Sequence, residues 1–345
     1  MDALVEIRGA RGTQSFRCAR GERLLYAGLR AGANLAYGCA TGTCGNCKAT
    51  LLAGSVEPAW NDAPGRRALR KPGEILLCQS TPHSDCVLEA RDGSCNHPRE
   101  LAQSYQGHVS SVDRDEDGLA WVVLKLQRPM RFHAGQFVLV AAPGVQGFRA
   151  YSPAHDGADV SRLALVVREK EGGGMSPLLC SGRGMGMPVT VFGPLGTAHV
   201  HPAEDRDIAV LAGGSGAGVA LSLLDWATAS GHLARNRMDI VCGLRTLGSR
   251  QVIGRLEAAA EAAPGRVRIV VALSEPSGPE PNEQPGLRFE QGLAHVVASR
   301  ALPVDEWKRR AVFVAGPAPM VEASLRMLML TAKLSPTKIR YDSFS

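Results

Sequence analysis

The stretch Tyr37-Gly38-Cys39-Ala40-Thr41-Gly42-Thr43-Cys44-Gly45-Asn46-Cys47, with Cys78 a further 31 residues on, decides how the chain is read. Its C-x4-C-x2-C…C spacing is the pattern with which four thiolates hold a [2Fe–2S] cluster. Soft thiolates suit iron–sulfur chemistry, and they need a loop able to wrap around the irons. Gly38, Gly42 and Gly45 allow that, because no Cβ keeps the backbone away from the sulfurs. A zinc site would pair two C-x2-C arms, and only one is present. Cys95-x-His97 is half of a Rieske pattern without the C-x2-H arm that would complete it. Cys39, Cys44, Cys47 and Cys78 are therefore the expected metal ligands, and the expected chemistry is one-electron transfer.

At 345 residues the chain has room for two or three domains. The net charge of +6 is scattered, with no block of like charges to serve as a nucleic-acid tail. No apolar run reaches the roughly 18 residues of a membrane span, and no signal peptide is expected at the N-terminus. Beyond the four ligands, Cys18, Cys86, Cys95, Cys180 and Cys242 read as free thiols of a reducing cytoplasm.

Working outward from the cysteines, residues 1–92 form one unit. A strand pair turns at Gly12, a helix runs from Arg23 to Ala31 with Gly32 as its stop, and short strands flank the loop. Residues 93–103 read as a linker. Residues 104–202 are strand-rich, as in Ala120–Leu126 and Phe137–Val140, which suggests a small antiparallel barrel. From 203 to 345, apolar runs at Ile208, Ile240, Val267 and Val312 alternate with helical stretches, the mark of βαβ units around a parallel sheet. A proline-rich loop, Glu275 to Gly286, interrupts that last unit.

Three further motifs carry chemistry. In Arg149-Ala150-Tyr151-Ser152 a guanidinium suits a pyrophosphate and a tyrosine ring suits a flavin. In the stretch from Val167 to Ser176, Gly172, Gly173 and Gly174 form a turn running into a helix start, where free amides can meet a phosphate. Gly213-Gly214-Ser215-Gly216 lies between a strand and a helix; it lacks the Lys-Ser/Thr of a P-loop and, with Ala217, the final glycine of a hydrolase elbow. The next strand ends in Gly243, with no acid for a ribose hydroxyl.

Taken in order, these segments resemble a plant-type ferredoxin fused to the ferredoxin–NADP reductase family, the arrangement of reductase components of multicomponent bacterial oxygenases. The resemblance rests on Arg149-x-Tyr151-Ser152, Gly172-Gly173-x-x-Ser176, Phe192-Gly193-Pro194-Leu195-Gly196, Ala212 to Gly216, Ala315-Gly316-Pro317-Ala318-Pro319-Met320 and Tyr341-Asp342-Ser343-Phe344. It implies a multi-domain α+β and α/β fold: a β-grasp ferredoxin domain, an antiparallel β-barrel FAD domain and a parallel α/β NAD(P)-binding domain. It further implies that FAD takes a hydride from NAD(P)H and returns electrons singly to the cluster. Arg149, Ser152, Val167, Gly172, Gly173 and Ser176 would surround the flavin, with Tyr151 flanking its ring and Phe344 covering the face where nicotinamide stacks. Gly213, Gly214, Ser215, Gly216, Gly316 and Pro317 would hold the nucleotide. Ala315 stands where the family often has cysteine. Arg245, Arg250 and Arg255 suit an NADP 2′-phosphate, whereas oxygenase reductases usually prefer NADH, which is the favoured donor with NADPH as alternative. The acceptor would be a Rieske, di-iron or haem-thiolate oxygenase. The rival readings are a reductase for a deoxysugar dehydratase and a redox-carrier subunit without nucleotide activity. Arg66, Arg67, Arg70 and Lys71 read either as a solvated loop or as a dock for an acidic acceptor.

Overall fold

The computed structural model describes residues 2–93, 100–275 and 285–344. Most of the expected linker, with Cys95 and His97, and most of the proline-rich loop lie outside the described residues. The chain forms two compact units.

The first unit comprises Met1–Ser104 with Gly147–Ala150 and Phe192–Thr197. Its five-stranded sheet has the order Gly12–Cys18, Ala3–Gly9, Cys86–Ala90, Lys48–Ala53, Glu74–Leu76. Ala3–Gly9 and Cys86–Ala90 are parallel and the remaining pairs antiparallel, the mixed sheet of a β-grasp. The first hairpin closes at Gly9 opposite Gly12, whose φ of +116° needs glycine. Helix Leu24–Arg30 buries every residue except Arg30, and each leucine so enclosed stabilises the fold by roughly 1.5–3 kcal/mol. Gly28 lets this helix lie flat on the sheet, since a Cβ there would fall 2.6 Å from Leu35 and 3.2 Å from the Phe16 ring.

The second unit contains two sheets. One is six-stranded and barrel-like, with Gln103–Arg114 paired antiparallel to Leu119–Phe132, and that strand paired antiparallel to Gly157–Arg168. Its interior is aliphatic, built on Val109, Val122, Leu124, Leu163, Leu165 and Val191. The other is parallel throughout, in the order Leu287–Gln291, Val267–Leu273, Met238–Leu244, Ile208–Gly213, Ala311–Pro317, Ile339–Phe344. Alternate residues of Ile208–Gly213 serve opposite faces: Ile208, Val210 and Ala212 join one core, Ala209 and Leu211 the other. Helices Ala217–Ala229, Arg250–Ala262 and Ala318–Leu330 match the expected helical stretches. Strands Leu287–Gln291 and Ile339–Phe344 and helices Ala294–Ala301 and Val304–Arg309 were not foreseen.

Candidate functional site

The four cysteines meet as two pairs. Cys47 Sγ lies 3.1 Å from Cys78 Sγ, and Cys39 and Cys44 share a hydrogen bond. The bond from Cys44 holds the Cys39 thiol down to about 4 and pushes Cys44 up; Cys78 likewise holds Cys47 down and is itself pushed up. Three backbone N–H groups already face sulfur: Cys39 donates to Cys44, Cys44 to Cys39, and Asn46 to Cys44, each at 3.4 Å. Two thiol pairs with no disulfide between them, the Cys39–Cys44 pair already faced by backbone amides, fit two irons. Among the described residues no three His, Cys, Asp or Glu side chains converge on one point, as a single zinc would require.

The loop holds this shape by packing. Gly42 (φ +98°) and Gly45 (φ +78°) are left-handed, and so is Ala40 (φ +56°). A Cβ at Gly42 would strike Gln79 at 2.9 Å, and one at Gly45 would strike Ala68 at 2.6 Å. Tyr26 of the buried helix donates to Ala40 O at 2.9 Å, and Arg23 at the helix N-cap donates to Cys78 O at 3.1 Å, so these two side chains brace both halves of the ligand set. The Tyr26 ring packs edge-on against Phe148, centroids 5.4 Å apart, and against Phe192 at 5.2 Å. Tyr37 accepts the N–H of Gly196 at 2.9 Å. Sequence reading missed this brace, because nothing in the spacing of Arg23 and Tyr26 announces a carbonyl some fifteen or fifty residues away.

Arg149 carries an exposed guanidinium that donates to Phe148 O at 3.0 Å. Tyr151 is partly buried against the barrel core. Ser152 is buried, and its Oγ has no hydrogen-bond partner among the described residues. Such an orphan calls for a ligand atom. Gly172 (φ +67°) has open space where a Cβ would be, and Lys170 N–H donates to Ser176 Oγ at 3.0 Å, closing the turn. The Val167 side chain is spent in the barrel core, and its residue pairs with Ala120 in the neighbouring strand.

In the parallel sheet the strand order reverses beside Ile208–Gly213, and open α/β sheets bind ligands at the carboxyl ends of strands at such a switch point. Gly213, Gly214, Ser215 and Gly216 lie there, entering helix Ala217–Ala229. Gly316 is adjacent: a Cβ on Gly216 would fall 2.2 Å from Ala315 O and 2.9 Å from Gly316 Cα. Phe344 stands opposite Pro317 in the paired strand and packs partly buried against the core, so it is anchored, not frayed. The arginines separate by role. Arg255 lies 3.7 Å over the Trp121 ring and Arg250 pairs with Glu116 at 3.1 Å, while Arg245, exposed at its strand end, has Glu275 at 4.0 Å. Arg168, not singled out from the sequence, has its Nε 3.5 Å from the Cβ position of Gly214 and donates to Asp117 O at 2.9 Å. Burial lowers its pKa, and the charge of Arg245 lowers it further. The available signal was its place at the end of a strand just before the glycine turn.

Paired thiols on a β-grasp, a barrel-like sheet with an unpartnered serine, and a glycine-lined switch point together define an iron–sulfur flavoprotein reductase. Residues 6–83 match the 2Fe-2S iron-sulfur cluster binding domain family, and residues 112–200 the oxidoreductase FAD-binding domain family. The ferredoxin–NAD(+) reductase component of the alkene monooxygenase system of Xanthobacter autotrophicus is 33% identical over 96% of this chain and 98% of its own length. The aromatic O-demethylase reductase subunit of an Amycolatopsis species is 30% identical, covering 97% of each. The solved ferredoxin reductase in carbazole 1,9a-dioxygenase superposes with a TM-score of 0.82 at 27% identity, over 100% of this chain and 99% of that one. The chain belongs to the family of ferredoxin–NAD(P)(+) reductase components of multicomponent oxygenases.

Proposed function

We propose that the protein draws electron pairs from NADH and delivers them one at a time, through FAD and the [2Fe–2S] cluster, to an oxygenase component. FAD supplies the conversion, since it accepts a hydride and releases single electrons. The observation that carries the reading is the presence, in one chain, of two thiol pairs, one of them faced by backbone amides, and a switch point lined by Gly213–Gly216 and Gly316. Whole-length likeness to components of alkene monooxygenase and aromatic O-demethylase systems supports an oxygenase as acceptor over a deoxysugar dehydratase. The close approach of Gly216 to Ala315, which any side chain would prevent, favours a working nucleotide site over a redox-carrier subunit.

In this reading Cys39 and Cys44 bind one iron, and Cys47 and Cys78 the other. Arg149 and the Gly172-Gly173-Ser176 turn bind the flavin pyrophosphate, Tyr151 flanks the ring, and Ser152 hydrogen-bonds it. Phe344 covers the nicotinamide face. Gly213, Gly214, Ser215, Gly216, Gly316 and Pro317 admit the nucleotide backbone, with Arg168 and Arg245 as cations for its phosphates. No side chain needs to act as a general acid or base, so the protein supplies orientation and distance. The division into 1–92, 104–202 and 203–345 follows the three chemical tasks. Among the described residues no helix is long and apolar enough to cross a membrane, and the eight described cysteines are unbridged, which supports a cytoplasmic location. Anaerobic mixing with NADH or NADPH, followed by absorption, tests the proposal. Flavin bleaching is expected with both and faster with NADH; bleaching with neither would refute it.

A further inference from the structure

The cluster ligands are unequally accessible: Cys47 and Cys78 are buried, Cys39 is intermediate, and Cys44 is exposed. The rim where electrons can leave is therefore the side of Cys44. A one-turn helix, Pro64–Ala68, is seated directly on that side of the loop. Gly65 N–H donates to Gly42 O at 2.8 Å, and a Cβ on Gly65 would fall 2.8 Å from Gly45 N. Arg66 and Arg67, next in sequence, are thereby fixed beside the cysteine loop. The following turn is pinned as well. Glu74 accepts the backbone N–H groups of Arg70 and Lys71 and an ion pair from Lys48 at 2.9 Å, while Lys48 also donates to Ala68 O at 3.3 Å.

This frame presents four exposed cations, Arg66, Arg67, Arg70 and Lys71, none of which pairs with a carboxylate among the described residues. Glu74, the acid within the segment, is taken up by Lys48. Asp62, exposed just before the helix, is the one opposing charge between positions 60 and 72. Trp60 leads into the helix and is 40% exposed, and Ala59 N–H beside it donates to Gln79 O, next to Cys78. A half-exposed tryptophan among unpaired arginines is the composition of a binding hot spot. Four cations on a braced backbone lose little freedom on docking.

We propose that Arg66, Arg67, Arg70 and Lys71, with Trp60 as apolar anchor, form the docking surface that receives an acidic face of the electron-accepting component at the Cys44 edge of the cluster. The assignment rests on the reductase reading and names the partner chemistry of that same site. Charge of this kind acts mainly on encounter, raising association rates by about 10- to 1000-fold at low salt.

The test uses the holoprotein with NADH and two protein acceptors, cytochrome b5 with its acidic haem edge and cytochrome c with its basic one. Reduction of cytochrome b5 is expected to slow about tenfold from roughly 10 mM to 500 mM salt as screening sets in. The fourfold reversal to Glu is expected to invert that salt dependence and shift preference to cytochrome c; the fourfold change to Gln should remove the dependence without the shift. Flavin bleaching by NADH, recorded without acceptor in the same samples, should be unchanged. Loss of bleaching would count against the reductase reading itself. A wild-type rate with cytochrome b5 that is flat or rises with salt, or a reversal variant that keeps the wild-type salt profile, would overturn the docking surface.

Discussion

Two glycine-rich loops in this molecule solve opposite problems. The loop from Gly38 to Cys47 is closed: its glycines touch Gln79, Ala68 and Gly65, its amides already face sulfur, and buried Tyr26 holds the Ala40 carbonyl while Arg23 holds that of Cys78 beside it. The loop from Gly213 to Gly216 is bare on one side. Gly214 and Ser215 are partly accessible, and the contact that defines it is to a second strand, at Ala315 and Gly316. A loop that keeps a resident cluster must be finished before the electron arrives. A loop that exchanges a nucleotide at each turnover must stay open, with its shape fixed from behind by the sheet.

The largest effect is expected from Cys47→Ser, which should abolish the cluster chromophore and all acceptor turnover while NADH still bleaches the flavin; iron content and absorption spectra check this. Gly216→Ala should do the converse. Its Cβ has 2.2 Å to Ala315 O, so the loop must shift, and a displacement of that order costs about 100-fold in kcat/KM for NADH, with the cluster spectrum unaltered. Gly45→Ala adds left-handed strain to a clash with Ala68 and should lower unfolding free energy by about 2 kcal/mol, read from denaturant titration. Tyr26→Phe deletes one buried hydrogen bond to the cluster loop and should cost about 1 kcal/mol while leaving acceptor turnover largely intact.

The smallest effect concerns pH. The hydrogen bond from Lys48 is the main cause holding the Glu74 carboxyl down to about 2 from its ordinary 4.5. A carboxyl depressed on folding contributes stability above its unfolded pKa and loses it as pH falls through the folded one. The Lys48–Glu74 pair should therefore hold the cysteine-loop frame at pH 6 and release it progressively between about 4.5 and about 2. Glu74→Gln should flatten that acid limb when thermal midpoints are compared across the range.

The same contrast explains what could be read in advance. The cluster was legible because its four ligands need soft donors at fixed intervals within one domain, and three of them are packed into nine residues. The parallel sheet was legible from apolar runs alternating with helices, and the run that begins at Val267 is the strand Val267–Leu273. Strand Ile339–Phe344 was invisible as a strand, because Arg340, Tyr341, Asp342 and Ser343 lack an apolar alternation; pairing with Ala311–Pro317 imposes its conformation. Arg168 and Tyr26 escaped for a related reason. Their roles depend on Gly214, Asp117 and Ala40, which only the tertiary fold brings within reach.

The passage of electrons from NADH through flavin to cluster is decided by an anaerobic titration of holoprotein with NADH, counting electrons by flavin absorbance and by the paramagnetic resonance of the reduced cluster. Each NADH consumed is expected to place electrons on both centres of the same chain, and Cys47→Ser to retain the flavin response alone. A flavin that bleaches fully while the wild-type cluster stays oxidised would contradict it.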